Sequence, residues 1–183
     1  MGPVLGRAPA GPAAGGGGPH PRPLRRGLRA PHRRAFLVAA RVQVPFAVSR
    51  EVAFDFLGDP HKRPQWQSTL RRVEAVTPMP PQVGTSWRDV VLGEVVAQME
   101  LTVVDRPVRW AERGVTKGVA MDLTLDFEET ATGCLVSAAF EVTSAGAPRF
   151  LVAIVRRSMP RAVRKDLVRA AGILDGSVEP RDP

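Results

Sequence analysis

Two acidic residues each stand two positions after a tryptophan, in Trp87-Arg88-Asp89 and Trp110-Ala111-Glu112. Both segments read as strands, where residues i and i+2 share a face. If the tryptophans point into an apolar interior, Asp89 and Glu112 point there too. Burial would then raise their pKa values toward the range useful for a general acid or base. The competing reading pairs Glu112 with an arginine such as Arg113 or Arg88 in a structural ion pair, and Asp89 carries the same ambiguity. His61 lies beside Lys62 and Arg63 and reads as exposed rather than catalytic. The single cysteine, Cys134, reads as a small buried hydrophobe, and it excludes an internal disulfide or a cysteine-rich zinc site.

Other chemistry is poorly supplied. Two of the three histidines fall in a Pro/Gly/Arg-rich stretch, so no metal centre is expected. No glycine-rich segment joins a strand to a helix, which leaves phosphate cradling unsupported and no cofactor expected. Tyrosine is absent, excluding any mechanism that needs a phenol. No nucleophile, base and orienting group assemble. Binding without catalysis is therefore favoured over an enzyme.

The elements that must position these residues begin at Phe36. Phe36–Val44 reads as a strand closed by Pro45. Ser49 can cap a short helix, Arg50–Leu57, with Glu51 favourably placed in its first turn. Val52, Ala53 and Phe56 would face inward. A second helical turn fits Pro60–Gln67. Strands follow at Leu70–Val76, Thr85–Leu92, Glu94–Val104, Val108–Val115 and Val119–Glu128, and a last one opens at Cys134. Val95, Ala97, Met99, Leu101 and Val103 share one face of their strand, as do Met121, Leu123, Leu125 and Phe127 of theirs. One apolar and one wet face indicate an antiparallel sheet covered on one side. The cover is the segment from about Ala147 to Leu174, apolar at helical spacing, with a kink or break expected near Ser158 because Pro160 follows.

The 183 residues carry a net charge of +8, but the charge is unevenly placed. Of the 26 lysines and arginines, seven precede residue 36, where there is no acid. That leaves 19 basic against 18 acidic residues in the body. A near-neutral body argues against specific nucleic-acid binding. Residues 1–35, with eight glycines and seven prolines, read as a disordered basic tail. An electrostatic arm, an export signal around Arg33-Arg34 and a misassigned start are the competing readings of that tail. Residues 36–175 read as the domain, and residues 176–183 as a flexible tail. No apolar run is long enough to span a bilayer, and a cytoplasmic location is expected.

The order of elements resembles the helix-grip fold of the SRPBCC or START-like superfamily, which includes polyketide cyclases/dehydrases and lipid-transport proteins. Val44 to Leu57 looks like the superfamily's opening strand and aromatic-bearing helix. Asp59 to Trp66 is similar to its second helix, and Val83-Gly84-Thr85-Ser86-Trp87 to the start of its third strand. The resemblance covers about residues 38–174. It implies an α+β domain with a curved antiparallel sheet of six to seven strands around a long C-terminal helix. It also implies an apolar ligand, lipid or polyketide-like, between sheet and helix; the alternative is a polyketide cyclase/aromatase using Glu112 or Asp89. By strand parity, the expected lining from the sheet is Trp87, Met99, Leu101, Trp110, Met121, Leu123, Val136 and Phe140. Leu151, Val155 and Met159 would line it from the helix. The basic residues of that helix read as a solvated face, with weak contact to an anionic membrane as the second reading. A monomer or a homodimer fits.

Overall fold

The computed structural model describes residues 40–181. Seven strands form one antiparallel sheet: β1 (Ala40–Phe46), β2 (Leu70–Thr77), β3 (Ser86–Val91), β4 (Val95–Asp105), β5 (Arg109–Thr116), β6 (Val119–Thr130) and β7 (Gly133–Ser144). Their spatial order is β1-β7-β6-β5-β4-β3-β2. Between β1 and β2 lie α1 (Arg50–Leu57), a 3-10 turn (Pro60–Lys62) and α2 (Arg63–Trp66); α3 (Arg149–Leu174) closes the chain. This is the expected α+β helix-grip architecture. The basic tail assigned to residues 1–35 lies outside the described residues.

Residue chemistry accounts for most boundaries. Ser49 accepts a hydrogen bond from Val52 N and so caps α1. The inward face of α1 is Ala53, Phe54, Phe56 and Leu57, whereas Val52, expected inside, is 46% exposed. Phe54 sits edge-on to Trp110, with ring centroids 6.0 Å apart, and contacts Phe127 at 5.2 Å. These contacts anchor α1 to the sheet.

Three further expectations need correction. β1 does not stop at Pro45 but runs through it to Phe46. It is an edge strand, where the missing N–H of a proline need not cost a ladder bond. Val103 is not inward. A bulge between Leu101 and Val103 puts Val104 opposite Trp110, so the alternation of β4 reverses and Val103 faces out. Finally, α3 runs unbroken through Pro160. The carbonyl that Pro160 cannot serve belongs to Arg156, which is exposed and open to water.

α3 packs on β1 and β7 and touches α1 and α2. Its C-terminal half is the better seated: Leu167 and Ala170 are buried, while Leu151, Val155 and Met159 are only half-buried. After α3 the chain turns back, with Val178 N donating to Gly172 O and Arg181 donating to Gln67 O.

The turn into β7 depends on a glycine. Gly133 has φ +150°, and a Cβ there would overlap Phe46 O and stand 3.0 Å from Val48 N. Gly133→Ala should therefore destabilise the domain by about 2–3 kcal/mol in urea unfolding, because β1 and β7 would have to part. An unchanged midpoint would contradict this packing.

Candidate functional site

Strand pairing brings the two acidic positions to one part of the sheet. Glu112 of β5 stands between Leu101 of β4 and Leu123 of β6, and the same row continues to Phe140 of β7. The neighbouring row is Trp87, Met99, Gly114, Met121 and Val142. Gly114 matters because Met99 lies across it, its sulfur 2.8 Å from where a Cβ would stand.

Above this face sits α2. Asp59 accepts from His61 N at 2.9 Å and starts the turn that leads into the helix. From the first position of α2, Arg63 reaches down to the sheet. Its Nη1 donates to Glu112 Oε2 at 2.7 Å, and its Nη2 to Asp89 Oδ2 at 3.0 Å. Each tryptophan serves the acid two residues on. Trp87 Nε1 donates to Asp89 Oδ1 at 2.9 Å, and Trp110 Nε1 to Glu112 Oε2 at 3.1 Å. The Arg63 guanidinium also lies 5.4 Å from the Trp87 ring centre, within cation–π range. All three charged residues are at most 4% exposed.

One guanidinium thus faces two carboxylates away from water. Burial opposes the charge on Arg63, but Asp89 and Glu112 outweigh it and hold the guanidinium firmly protonated. Burial pushes the Asp89 carboxyl upward and the nearby Glu112 charge adds to this, although Arg63 pulls the other way. Three buried polar atoms in this region have no partner: Arg63 Nε, Glu112 Oε1 and Trp66 Nε1.

The ion pair that the sequence suggested for Glu112 exists with a different arginine. Arg88 pairs with Glu74 at 3.1 Å and Arg113 with Asp122 at 3.7 Å. Both stand one residue from the acids, and strand alternation sends them to the opposite face. Sequence reasoning missed Arg63. The signal was there: two acids made inward by their tryptophans need a cation, and Arg63 shares a helical turn with Trp66.

Of the other singled-out positions, Trp87, Met99, Leu101, Trp110, Val136 and Phe140 are buried. Met121, Leu123, Leu151, Val155 and Met159 are half-buried. His61 is exposed. Cys134 is buried, and burial pushes its thiol pKa up, as expected of an unreactive residue. Two basic residues of α3 are tied to backbone, Arg164 to Gln43 O and Arg169 to Gln65 O; Arg156, Arg157 and Arg161 are exposed. No helix among the described residues is long and apolar enough to cross a membrane.

Comparisons with known proteins agree with this architecture. Residues 38–174 match the family model described as "Polyketide cyclase / dehydrase and lipid transport". Among solved structures, the chain is similar to DynU16 from the dynemicin biosynthetic locus, with 18% identity, a TM-score of 0.57, and coverage of 76% of this chain and 48% of that one. It is similar to the di-domain ARO/CYC StfQ from the steffimycin biosynthetic pathway, with 12% identity, a TM-score of 0.61, and coverage of 75% and 50%. It also resembles XoxI from Bacillus cereus, with 10% identity, a TM-score of 0.60, and coverage of 74% and 94%. The chain spans about half the length of DynU16 and StfQ. At these identities the likeness shows the fold. No curated protein matches the sequence.

The raised Asp89 pKa has a consequence for stability. The folded chain holds a proton on Asp89 more readily than the unfolded chain. The stability linked to this proton is complete below the ordinary value of 3.8 and is lost as pH rises through the raised folded value. Asp89→Asn should therefore gain stability relative to the parent as pH rises above the ordinary value of 3.8 in urea unfolding. A difference that stays flat, or falls with pH, would contradict the assignment.

Proposed function

Because the chain belongs to the polyketide cyclase/dehydrase and lipid transport family, we propose that it binds or carries an apolar small molecule, lipid or polyketide-like, between the sheet and α3. One observation carries the reading. Met121 and Leu123 lie on β6, in the middle of the covered face of the sheet, and yet they are only half-buried. Interior positions of a covered sheet are ordinarily close-packed. Leu151, Val155 and Met159 of α3, which pack in one cluster with Met121, are half-buried as well. An apolar space between helix and sheet, with a few polar groups at one side, has the form of a small-molecule site. The methionines suit it to ligands of differing shape. On this reading the protein works in the cytoplasm. Weak contact of the exposed Phe150, Ile154 and Arg157 with an anionic membrane is where a lipid ligand would be collected.

Nile red should bind the full chain with a rise in fluorescence. Leu123→Trp fills the proposed space from its floor and should weaken dye binding by about tenfold or more while the circular dichroism spectrum is kept. No dye binding by the parent protein, or equal binding by a folded Leu123→Trp, would refute the reading.

The raised Asp89 carboxyl supports a second reading, a polyketide cyclase/aromatase in which Asp89 and Glu112 exchange protons with the ligand. Against it, Arg63 and two indoles already hold three of the four carboxylate oxygens. With a poly-β-carbonyl thioester, ring closure that is lost in Glu112→Gln while dye binding persists would favour this reading. Closure no faster than the uncatalysed background in the parent protein would dismiss it.

A further inference from the structure

We infer that Asp89 and Glu112 share one proton while α2 is seated on the sheet, and that losing this proton as pH rises lets α2 lift, so that the cluster is a pH-sensitive latch. The latch does not depend on what the protein binds.

The charges of the cluster do not balance. One guanidinium faces two carboxyl groups, and all three residues are buried. With both acids ionised, one negative charge is left over. Among the described residues no second cation offsets it: Asp89 is acted on by Arg63 and Glu112, and Arg63 by the same two acids. Both acids also meet one fork, Glu112 Oε2 at Arg63 Nη1 and Asp89 Oδ2 at Nη2. Like charges held so close, away from water, cannot both ionise without a penalty, and such a pair takes up and loses protons as a unit. Glu112 Oε1 receives no hydrogen bond, so the ionised pair leaves one buried oxygen bare. Burial and the Glu112 charge push the Asp89 carboxyl upward against the pull of Arg63. One proton on the pair cancels the surplus.

The element that can respond is α2. β3 and β5 are interior strands with neighbours on both sides. α2 is a single turn of four residues and is held by tertiary contacts rather than by its own helical bonds. Lifting it brings water to the surplus charge. Other charged and titratable groups surround it. Asp59, His61 and Lys62 precede it in the chain; Asp166 and Arg169 reach its C-terminal end from α3, and Arg181 from the segment after α3. Asp166 accepts from Ser68 N at 2.9 Å, and burial pushes its carboxyl upward too. Its titration must therefore be told apart from that of the pair.

The chain supplies its own probe. It has three tryptophans and no tyrosine. Trp66 lies on α2, Trp87 and Trp110 donate to the two acids, and all three are buried. Intrinsic fluorescence thus reads the latch alone. With the full chain titrated upward from the ordinary aspartate value of 3.8, quenching by acrylamide should rise several-fold and emission should move to the red, with the far-ultraviolet circular dichroism kept. In Glu112→Gln the amide oxygen can keep both bonds made by Oε2, and the NH2 takes the place that has no donor. Charges then balance, and the transition should vanish. Asp89→Asn removes the same surplus and should also abolish it, which covers the case where Glu112→Gln does not fold. Asp166→Asn and His61→Ala should keep it. The infrared carbonyl band of a protonated carboxyl should persist up to the same transition in the parent and be missing from Glu112→Gln. Tryptophans equally shielded over the whole range, a transition unchanged in a folded neutralised variant, or one lost in Asp166→Asn would overturn the latch. Quenching that rises only together with loss of the circular dichroism signal would overturn it as well, since that is unfolding of the domain.

Discussion

A single guanidinium ties α2 to the middle of the sheet. Arg63 comes from a helix of four residues that would not persist alone, and it ends on β3 and β5, strands separated by β4. Taking these charges out of water is expensive, and breaking such a cluster by removing one partner typically costs about 3–5 kcal/mol. The two indole N–H groups offset part of that cost by binding the same carboxylates, which also fixes the tryptophan rings. The cluster therefore specifies where α2 sits and which way Trp87 and Trp110 turn. It contributes more to arrangement than to net stability.

That arrangement divides the covered face of the sheet. At one side Phe54, Trp110 and Phe127 make a dry core under α1, and Gly58 approaches the Trp110 ring so closely that a Cβ would stand 2.9 Å from it. At the other, α3 rests on β1 and β7, and its N-terminal half packs with Met121, which like Leu123 stays half-buried. The Arg63 cluster stands between these regions.

Much of this fold could be read from the residues. The register of β6 and β7 carries no bulge, so the inward faces read from the sequence hold along both strands. Where the reading slipped, the cause was a non-local or irregular feature. The bulge in β4 reverses its alternation after Leu101, and no glycine or proline marks it. Pro45 signals a strand end only if the strand has neighbours on both sides, and its position at the sheet edge is a tertiary fact. The site was half legible. The Trp-x-Asp and Trp-x-Glu spacings identify both inward acids, because strand geometry is local. Their partner is 26 and 49 residues away in the chain, on an element whose approach to the sheet depends on the whole fold. The nearby Arg88 and Arg113 were the natural candidates, and alternation places both on the other face.

The central claim is that apolar space lies between Leu123 and the N-terminal half of α3, next to Glu112. Crystals of the protein under xenon pressure measure this most directly, since xenon collects in dry apolar cavities. The account predicts anomalous density for xenon in contact with Met121, Leu123 and Met159. Side chains packed together there, with no xenon between sheet and helix, would contradict it.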